Sequence, residues 1–367
     1  MKTKVLVRVA SLALVGMLAL SACGSDNATG TSENKSSDSN ISGSFTGVGA
    51  SSQKAAIDAW EAGFSAANSK ASVNYSPDGS GAGRKALLAG GAQFAGSDAH
   101  LTADEYKQSK EKCGPEGAID IPVYISPIAI AYNLPGIGSL NLDGETIAKI
   151  FKGEITKWND TAIKSQNEGV DLPDTNITVV HRSDDSGTTE NFTAYLAAAS
   201  NGAWDKKADG NWPSEYAGES NKGTAGVVTT TTSTEGAITY ADASAVGDLG
   251  TVKVKAGDEY VELSAKAAAK TVETSKKVGG MHDNDMSLEI NRTPKEAGAY
   301  PVVLVSYHIV CSQYDNQETV DLVKAYENYV VSEEGQTDAA DSAHSAPLTE
   351  TLRKDAKKAI ESVKVAS

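Results

Sequence analysis

From Phe45 onward, short runs of apolar residues alternate with stretches in which apolar side chains recur every three or four positions. The first pattern marks strands, the second helices with one buried face. In Ala55–Phe64, residues Ile57, Trp60 and Phe64 fall on one helical face. Ser72–Tyr75 reads as a strand, Arg84–Leu88 starts another helix, and Thr102 with Glu105 forms a capping box for a third. Ile121–Asn133 and Pro301–Val310 are long apolar stretches that read as buried strands. Thr146–Phe151 is a short helix, Ile177–Val180 a strand and Glu190–Ala199 a helix. Val227–Thr232 is β-branched throughout and leads into Gly236–Tyr240, which reads as a further strand. Near the C-terminus, Leu348, Leu352, Ala356, Ala359, Ile360 and Val363 share a helical face. No repeat of fixed period is visible, which argues against a solenoid or propeller. Such alternation predicts α/β architecture.

The chain of 367 residues is long enough for about two globular domains. Its formal net charge of −15 argues against nucleic-acid binding, which depends on clustered Lys and Arg. The N-terminus is the exception: Lys2, Lys4 and Arg8 precede the apolar run Val9–Leu20, followed by Ser21-Ala22-Cys23. A basic start, an apolar stretch and a small-residue site describe a secretory signal over residues 1–22. The run is short for a bilayer span, which needs ~20 apolar residues. Leu20-Ser-Ala-Cys23 resembles a bacterial lipobox, implying cleavage before Cys23 and a lipid on its sulfur; ordinary cleavage leaving a free thiol is the alternative. Residues 24–40 contain no large apolar side chain, so residues 23–43 read as a lipidated Cys and a flexible tether. Cys113 and Cys311 remain, an even pair in an exported, oxidising setting, which points to a disulfide between them; two free buried thiols are the alternative. The five His are scattered and no Cys cluster has zinc spacing, so no metal or cofactor is expected.

Three turns carry the candidate chemistry: Gly47-Val-Gly-Ala-Ser-Ser52, Asp78-Gly-Ser-Gly-Ala-Gly83 and Ser183-Asp-Asp-Ser-Gly-Thr-Thr189. Each is rich in glycine and hydroxyls and runs into a helix. A helix N-terminus has unpaired N–H groups and partial positive charge, glycine permits close approach, and hydroxyls add donors. One such turn is ordinary capping; three in one chain point to an anion. Arg182, at the end of the third strand-to-turn passage, supplies a planar fork for a tetrahedral oxyanion. Nucleotide loops are excluded: Gly-Lys occurs nowhere, and position 84 is Arg where G-x-G-x-x-G needs Gly. No G-x-S-x-G elbow is present either. His181, beside Arg182, reads as a half-buried strand residue rather than a base.

Here a resemblance becomes specific. Ser-Phe-Thr-Gly-Val-Gly-Ala-Ser-Ser52, Tyr-Ser-Pro-Asp-Gly-Ser-Gly-Ala-Gly83, Phe-Ala-Gly-Ser-Asp-Ala99, Phe-Lys-Gly-Glu-Ile-Thr-Lys-Trp-Asn159 and Val-Val-His-Arg-Ser-Asp-Asp-Ser-Gly-Thr-Thr189 follow in the order of one known family. The chain resembles the phosphate-binding lipoproteins (PstS type) of high-affinity phosphate ABC transporters, from about Ser44 to near the C-terminus. That resemblance implies an α/β, two-lobe solute-binding fold of the type II periplasmic kind, with the ligand in a cleft between lobes. Two crossover strands would join the lobes near Pro122–Ile130 and Pro301–Val310, with residues 44–125 plus 301–367 as lobe I and 126–300 as lobe II. The implied phosphate ligands are Ser51, Ser52, Ser80, Asp98, Arg182, Ser186, Gly187 and Thr188, with Asp184 steadying the arginine. Where the family often has Thr-Phe, this chain has Ser51-Ser52, so Ser52 keeps its backbone N–H but the aromatic wall is absent. Ala82 stands for a frequent Gly or Ser. The implied role is non-enzymatic: a lipid-anchored monomer on the extracytoplasmic face of a bacterial membrane, delivering phosphate to a permease driven by a cytoplasmic ATPase. Alternatives are a receptor for another oxyanion or a phosphate ester and, more remotely, a secreted phosphatase.

A carboxylate facing an anion needs a reason, and protonation supplies one. Phosphate near neutral pH keeps at least one proton that Asp98 can accept, whereas sulfate has none. An unsatisfied buried polar group costs ~1–3 kcal/mol, so Asp98 predicts selection against fully deprotonated oxyanions.

Overall fold

The computed structural model describes residues 41–366; the signal segment, Cys23 and the tether as far as residue 40 lie outside them. The organising element is a fifteen-residue strand, β4 (Ala118–Tyr132), every residue of which is buried. Such continuous burial fits its mostly apolar sequence, broken only by Asp120 and Ser126, because a strand covered on both faces does not alternate polar and apolar positions. From Ala118 to Pro127 it pairs antiparallel with β13 (Val303–Cys311), and from Ile128 to Tyr132 with β8 (Ala237–Asp242). One strand thus serves two halves of the sheet.

On one side the order is β2 (Ala71–Ser76), β1 (Gly43–Gly49), β3 (Phe94–Ser97), β13, β4. On the other, β8 is followed by β6 (Thr178–Arg182) and β7 (Glu219–Asn221). The end of β4 also pairs with β9 (Gly250–Ala256), which carries β5 (Ser139–Leu142) and β10 (Glu259–Val261). β1 is parallel to β2 and β3, and β6 to β7 and β8. The pair β11 (Lys276–Lys277) and β12 (Leu288–Glu289) lies back against β4 and β13: Met286 N donates to Asp120 O at 3.1 Å and Leu288 N to the Tyr307 hydroxyl at 3.0 Å.

Helices flank these strands: α1 (Lys54–Ala67), α2 (Ser80–Leu88), α3 (Ala103–Ser109), α4 (Gly144–Phe151), α5 (Thr161–Lys164), α6 (Gly187–Ala199), α7 (Gly223–Ser233), α8 (Ala265–Glu273), α9 (Gln317–Val330), α10 (Glu333–Ala343) and α11 (Glu350–Glu361). The apolar face of α1 packs as its spacing requires, with Ile57, Trp60 and Phe64 buried. The Thr102–Glu105 capping box forms in both directions. Two helices start earlier than their apolar spacing suggests, α2 at Ser80 and α6 at Gly187, because their first turns are built of glycine and hydroxyl residues.

The β-branched run Val227–Thr232 lies inside α7. β-Branched residues cost only a few tenths of a kcal/mol each in a helix, and packing outweighs that here. Val227 joins a small buried cluster with Ala129, Ala131, Val180 and Ala241, and Thr231 Oγ1 donates to Val227 O at 2.8 Å.

Cys113, just beyond α3, and Cys311, at the end of β13, form a disulfide with Cα atoms 4.4 Å apart, across 198 residues of sequence. Closing so long a loop restricts the unfolded chain strongly. The double variant C113A/C311A is expected to lose about 2–5 kcal/mol of unfolding free energy, measured by urea denaturation. An unchanged midpoint would mean that the link contributes nothing.

Candidate functional site

The site forms where the carboxyl ends of parallel strands from both halves meet, the position at which open α/β sheets place ligands. β1 ends at Gly49 and leads into a short 3₁₀ turn at Ser51–Gln53; β2 leads through Asp78-Gly79 into α2; β3 ends at Ser97, next to Asp98. From the other half, β6 ends at Arg182 and leads through Ser186 into α6, while β7 leads through Lys222 into α7.

Asp98 is the junction. It is 3% exposed. Its Oδ1 accepts from the hydroxyls of Ser52 and Ser306, both at 2.6 Å, and its Oδ2 accepts from Thr188 Oγ1 at 2.8 Å. Its backbone N–H donates to Ser80 Oγ at 3.1 Å, and its carbonyl accepts from Asn191 Nδ2 at 2.7 Å. The halves approach closely here: a Cβ added to Gly187 would lie 2.6 Å from Ser80 Oγ and 2.7 Å from Asp98 Cβ. Only glycine fits.

Arg182, also 3% exposed, is held by Asp184 on two sides: Nε donates to Oδ1 at 2.8 Å, and Nη2 donates to Oδ2. Nη1 has no hydrogen-bond partner among the described residues, so the fork keeps a donor for a ligand. Gly223 N also donates to Asp184 Oδ1, at 3.0 Å. Burial pushes the Asp184 carboxyl up, but the hydrogen bonds and charge of Arg182 and the Gly223 N–H outweigh it, so its pKa lies below the ordinary value. Gly79, at φ +108°, leaves room for this carboxylate: a Cβ there would sit 2.5 Å from Asp184 Oδ2. Ser51, half-buried, links to α7, its Oγ accepting from Thr224 N at 3.0 Å and lying 3.0 Å from Thr224 Oγ1. Ser186 caps α6 through Thr189 N at 3.2 Å. All eight candidate ligands and Asp184 therefore fall within one connected group spanning both halves.

The capping pattern marks the same place. The helices α3, α4, α5, α6, α8, α9, α10 and α11 each have a side chain bonded to a first-turn N–H. The 3₁₀ turn at Ser51, the α1 helix that continues it and α2 have none, whereas the first two N–H groups of α7 go to side chains of the facing turns, Gly223 N to Asp184 Oδ1 and Thr224 N to Ser51 Oγ. Uncapped helix starts leave N–H donors and the positive end of the macrodipole for another acceptor. Two of them, at Ser51 and at Ser80, converge here.

Sequence reasoning missed Ser306, Thr224 and Asn191. Ser306 and His308 are polar residues two apart in an otherwise apolar strand, hence on one face, which is a readable anomaly. Thr224 belongs to a fourth glycine-and-hydroxyl turn, Lys222-Gly-Thr-Ala-Gly226, with the composition of the other three. His181 takes no part: it stacks on Trp212 with ring centroids 5.0 Å apart, and burial lowers its pKa.

Comparison with known proteins identifies the family. Residues 33–334 match the PBP superfamily domain. The "Phosphate-binding protein PstS 3" of Mycobacterium leprae is 38% identical over 328 residues, covering 86% of this chain and 88% of its own. The "Phosphate-binding protein PstS 2" of Mycobacterium tuberculosis is 37% identical over 361 residues, covering 94% of both. The chain belongs to this PstS family. Among solved structures, a high-affinity periplasmic phosphate-binding protein (PfluDING) bound with phosphate superimposes with a TM-score of 0.68 at 20% identity, covering 86% of this chain and 93% of its own. A phosphate-binding protein from Stenotrophomonas maltophilia gives 0.67 at 21%, covering 86% and 94%. These share the type II periplasmic-binding fold, the architecture expected of a PstS chain.

The pairing of Arg182 with Asp184 makes stability depend on pH. Because the folded-state pKa of Asp184 is depressed, its contribution is fully present above the ordinary carboxylate pKa and is lost as pH falls through the folded value. D184N is expected to melt at a lower temperature at pH 7 and to show a shallower decline between about pH 4 and pH 2. Thermal melts across that range test it, and parallel curves for the two proteins would reject the linkage.

Proposed function

We propose that this chain captures inorganic phosphate through Ser51, Ser52, Ser80, Asp98, Arg182, Ser186, Gly187 and Thr188, with Asp184 orienting the arginine, and that it acts as a receptor rather than an enzyme. The observation that carries the reading is the pairing of many donors with one acceptor. Backbone N–H groups, hydroxyls and the Arg182 fork suit a tetrahedral oxyanion. Asp98, an acceptor-only carboxylate among them, suits an oxyanion that still bears a proton. The relatives are named as phosphate-binding proteins, which favours phosphate over other oxyanions.

In this reading residues 44–125 with 301–367 form one lobe and residues 126–300 the other, β4 passes between them, and the anion closes one lobe on the other. Contacts that span the seam would hold the closed form: Lys222 Nζ to Asp78 Oδ1 at 2.7 Å, Lys85 to Asp185 at 3.4 Å, and Ser51 with Thr224. We place the protein outside the cytoplasmic membrane, tethered as a monomer through a lipid on Cys23, where it hands phosphate to the permease of an ABC transporter powered by a cytoplasmic ATPase. No helix among the described residues is long and apolar enough to cross a membrane.

Calorimetric titration of the soluble form beginning after Cys23, stripped of bound phosphate, tests the ligand. Saturable one-to-one binding of phosphate with no sulfate heat is expected, and R182A should weaken phosphate by about a hundredfold or more. D98N should admit sulfate. Equal binding of both anions by the unaltered protein would reject the selectivity mechanism, and binding of neither would reject the ligand. For the anchor, C23S is expected to shift the protein from the membrane fraction to the soluble exported fraction; an unchanged distribution would remove the lipid from the account.

A further inference from the structure

A chain of buried polar side chains runs from Asp98 into the aromatic core. Ser306, Gln53, His308 and Glu327 are each 0% exposed. His308 packs against Phe94, Trp60 and Tyr326. Two ionisable groups in such surroundings are costly, and apolar residues of similar volume would fill the same space. Their hydrogen bonds, however, have a fixed direction.

The direction starts at the Tyr307 carbonyl, which can only accept. The end of the Gln53 amide 3.2 Å from it must therefore be the NH₂, and the same nitrogen lies 2.5 Å from Ser306 Oγ. Gln53 Oε1 then faces His308 Nε2 at 3.2 Å, so that nitrogen carries a proton. The other ring nitrogen, Nδ1, lies 2.8 and 3.1 Å from the two oxygens of Glu327. Whichever of that last pair holds the shared proton, Nε2–H still points to Gln53. Ser306 Oγ accepts from Gln53, and its single proton goes to Asp98 Oδ1 at 2.6 Å.

Ser52 and Thr188 stand differently. Each also has one proton, and a hydroxyl cannot donate to Asp98 and to an anion at once. Both belong to the turns that face the ligand, so binding would draw their protons away from Asp98. Ser306 has no such freedom. We infer that Glu327, His308 and Gln53 form a positioning relay that locks Ser306 as a permanent donor to Asp98. It leaves this carboxylate one fixed donor while the neighbouring hydroxyls turn to the anion. Ser306 thereby sets the preference for a protonated oxyanion over sulfate. The inference rests on the reading of Asp98 as the acceptor of a phosphate proton.

A donor to the charged form lowers a carboxyl pKa, and its removal raises it. A protonated carboxyl can donate to sulfate where a carboxylate cannot, so the pH at which sulfate begins to compete reads the effect of the donor. Other titratable groups bear on Asp98 too. Tyr75 and Asp242, the latter pushed by burial up to about 6, interact with its charge; His100, Glu190 and Arg292 line a cavity of about 270 Å³ beside it. None changes in the variants below, so a difference from the unaltered protein isolates the relay.

The experiment measures competition of sulfate with inorganic phosphate between pH 4.5 and 8 for the unaltered protein, S306A, S306T and Q53M, with a thermal melt of each. In S306A the midpoint for sulfate entry is expected to move up by about one pH unit. S306T keeps the hydroxyl and should restore the original midpoint, while Q53M frees the Ser306 proton and should give a smaller shift in the same direction. A purely structural role predicts instead lower melting with phosphate and sulfate affinities falling together at every pH. A folded S306A or Q53M that binds phosphate with an unmoved sulfate midpoint overturns the relay, as does failure of both to fold, which would assign these residues to the core alone. The underlying reading fails separately, if the unaltered protein binds sulfate as well as phosphate at every pH or binds neither.

Discussion

A buried carboxylate must be surrounded by donors, and Asp98 imposes that requirement on every element around it. Desolvating an ionised group without partners costs several kcal/mol; here three hydroxyls supply the partners, from the 3₁₀ turn after β1, from β13 and from α6. Those three elements come from three distant parts of the chain, and two of them sit on opposite sides of the seam in the sheet. The bond from Thr188 and the one from Asn191 therefore tie the halves together through a single residue. The same constraint explains Gly187: a side chain there would push α6 off Ser80 and Asp98 and break the set.

Around that junction the scaffold is rigid where the chemistry needs it. β4 and β13 are buried at every position and pair along most of their length. Ser306 and His308 therefore hang from a strand that cannot shift alone. The turns that carry the N–H donors are instead ends of elements, where backbone groups are unpaired by construction. The division of labour is physical: acceptors and their orienting groups are in the core, donors are on the rims. The net charge of −15 does not oppose an anion at this place, because exposed charges beyond a Debye length of about 8 Å are screened while local dipoles and Arg182 act at contact distance.

Much of this was legible in the chain. Helical spacing in α1, the capping box of α3 and the long apolar runs of β4 and β13 are local signals, and local signals survive folding. The α7 segment was not legible as a helix. Its β-branched run says strand, and only the cluster around Val227 and the placement of its first turn beside Ser51 and Asp184 make it helical. Ser306 was legible only as a polar position in an apolar strand, and its role stays hidden until its partner is known.

The sequence by itself determined which residues could serve an oxyanion, because glycine, hydroxyl and arginine in strand-to-helix turns have those properties wherever they are placed. It also determined the alternation of elements, and it brought Cys113 and Cys311 forward as a pair expected to bond, with two free thiols as the alternative. Only the tertiary structure decided that the turns converge, that the two cysteines meet in a bond, that a fourth turn at Thr224 joins them, and that Glu327, over two hundred residues from Asp98 in sequence, is connected to it through Ser306. The reason is directional. Hydrogen bonds depend on distances and angles between groups far apart in the chain, and those are fixed by the packing of the whole sheet rather than by any local pattern.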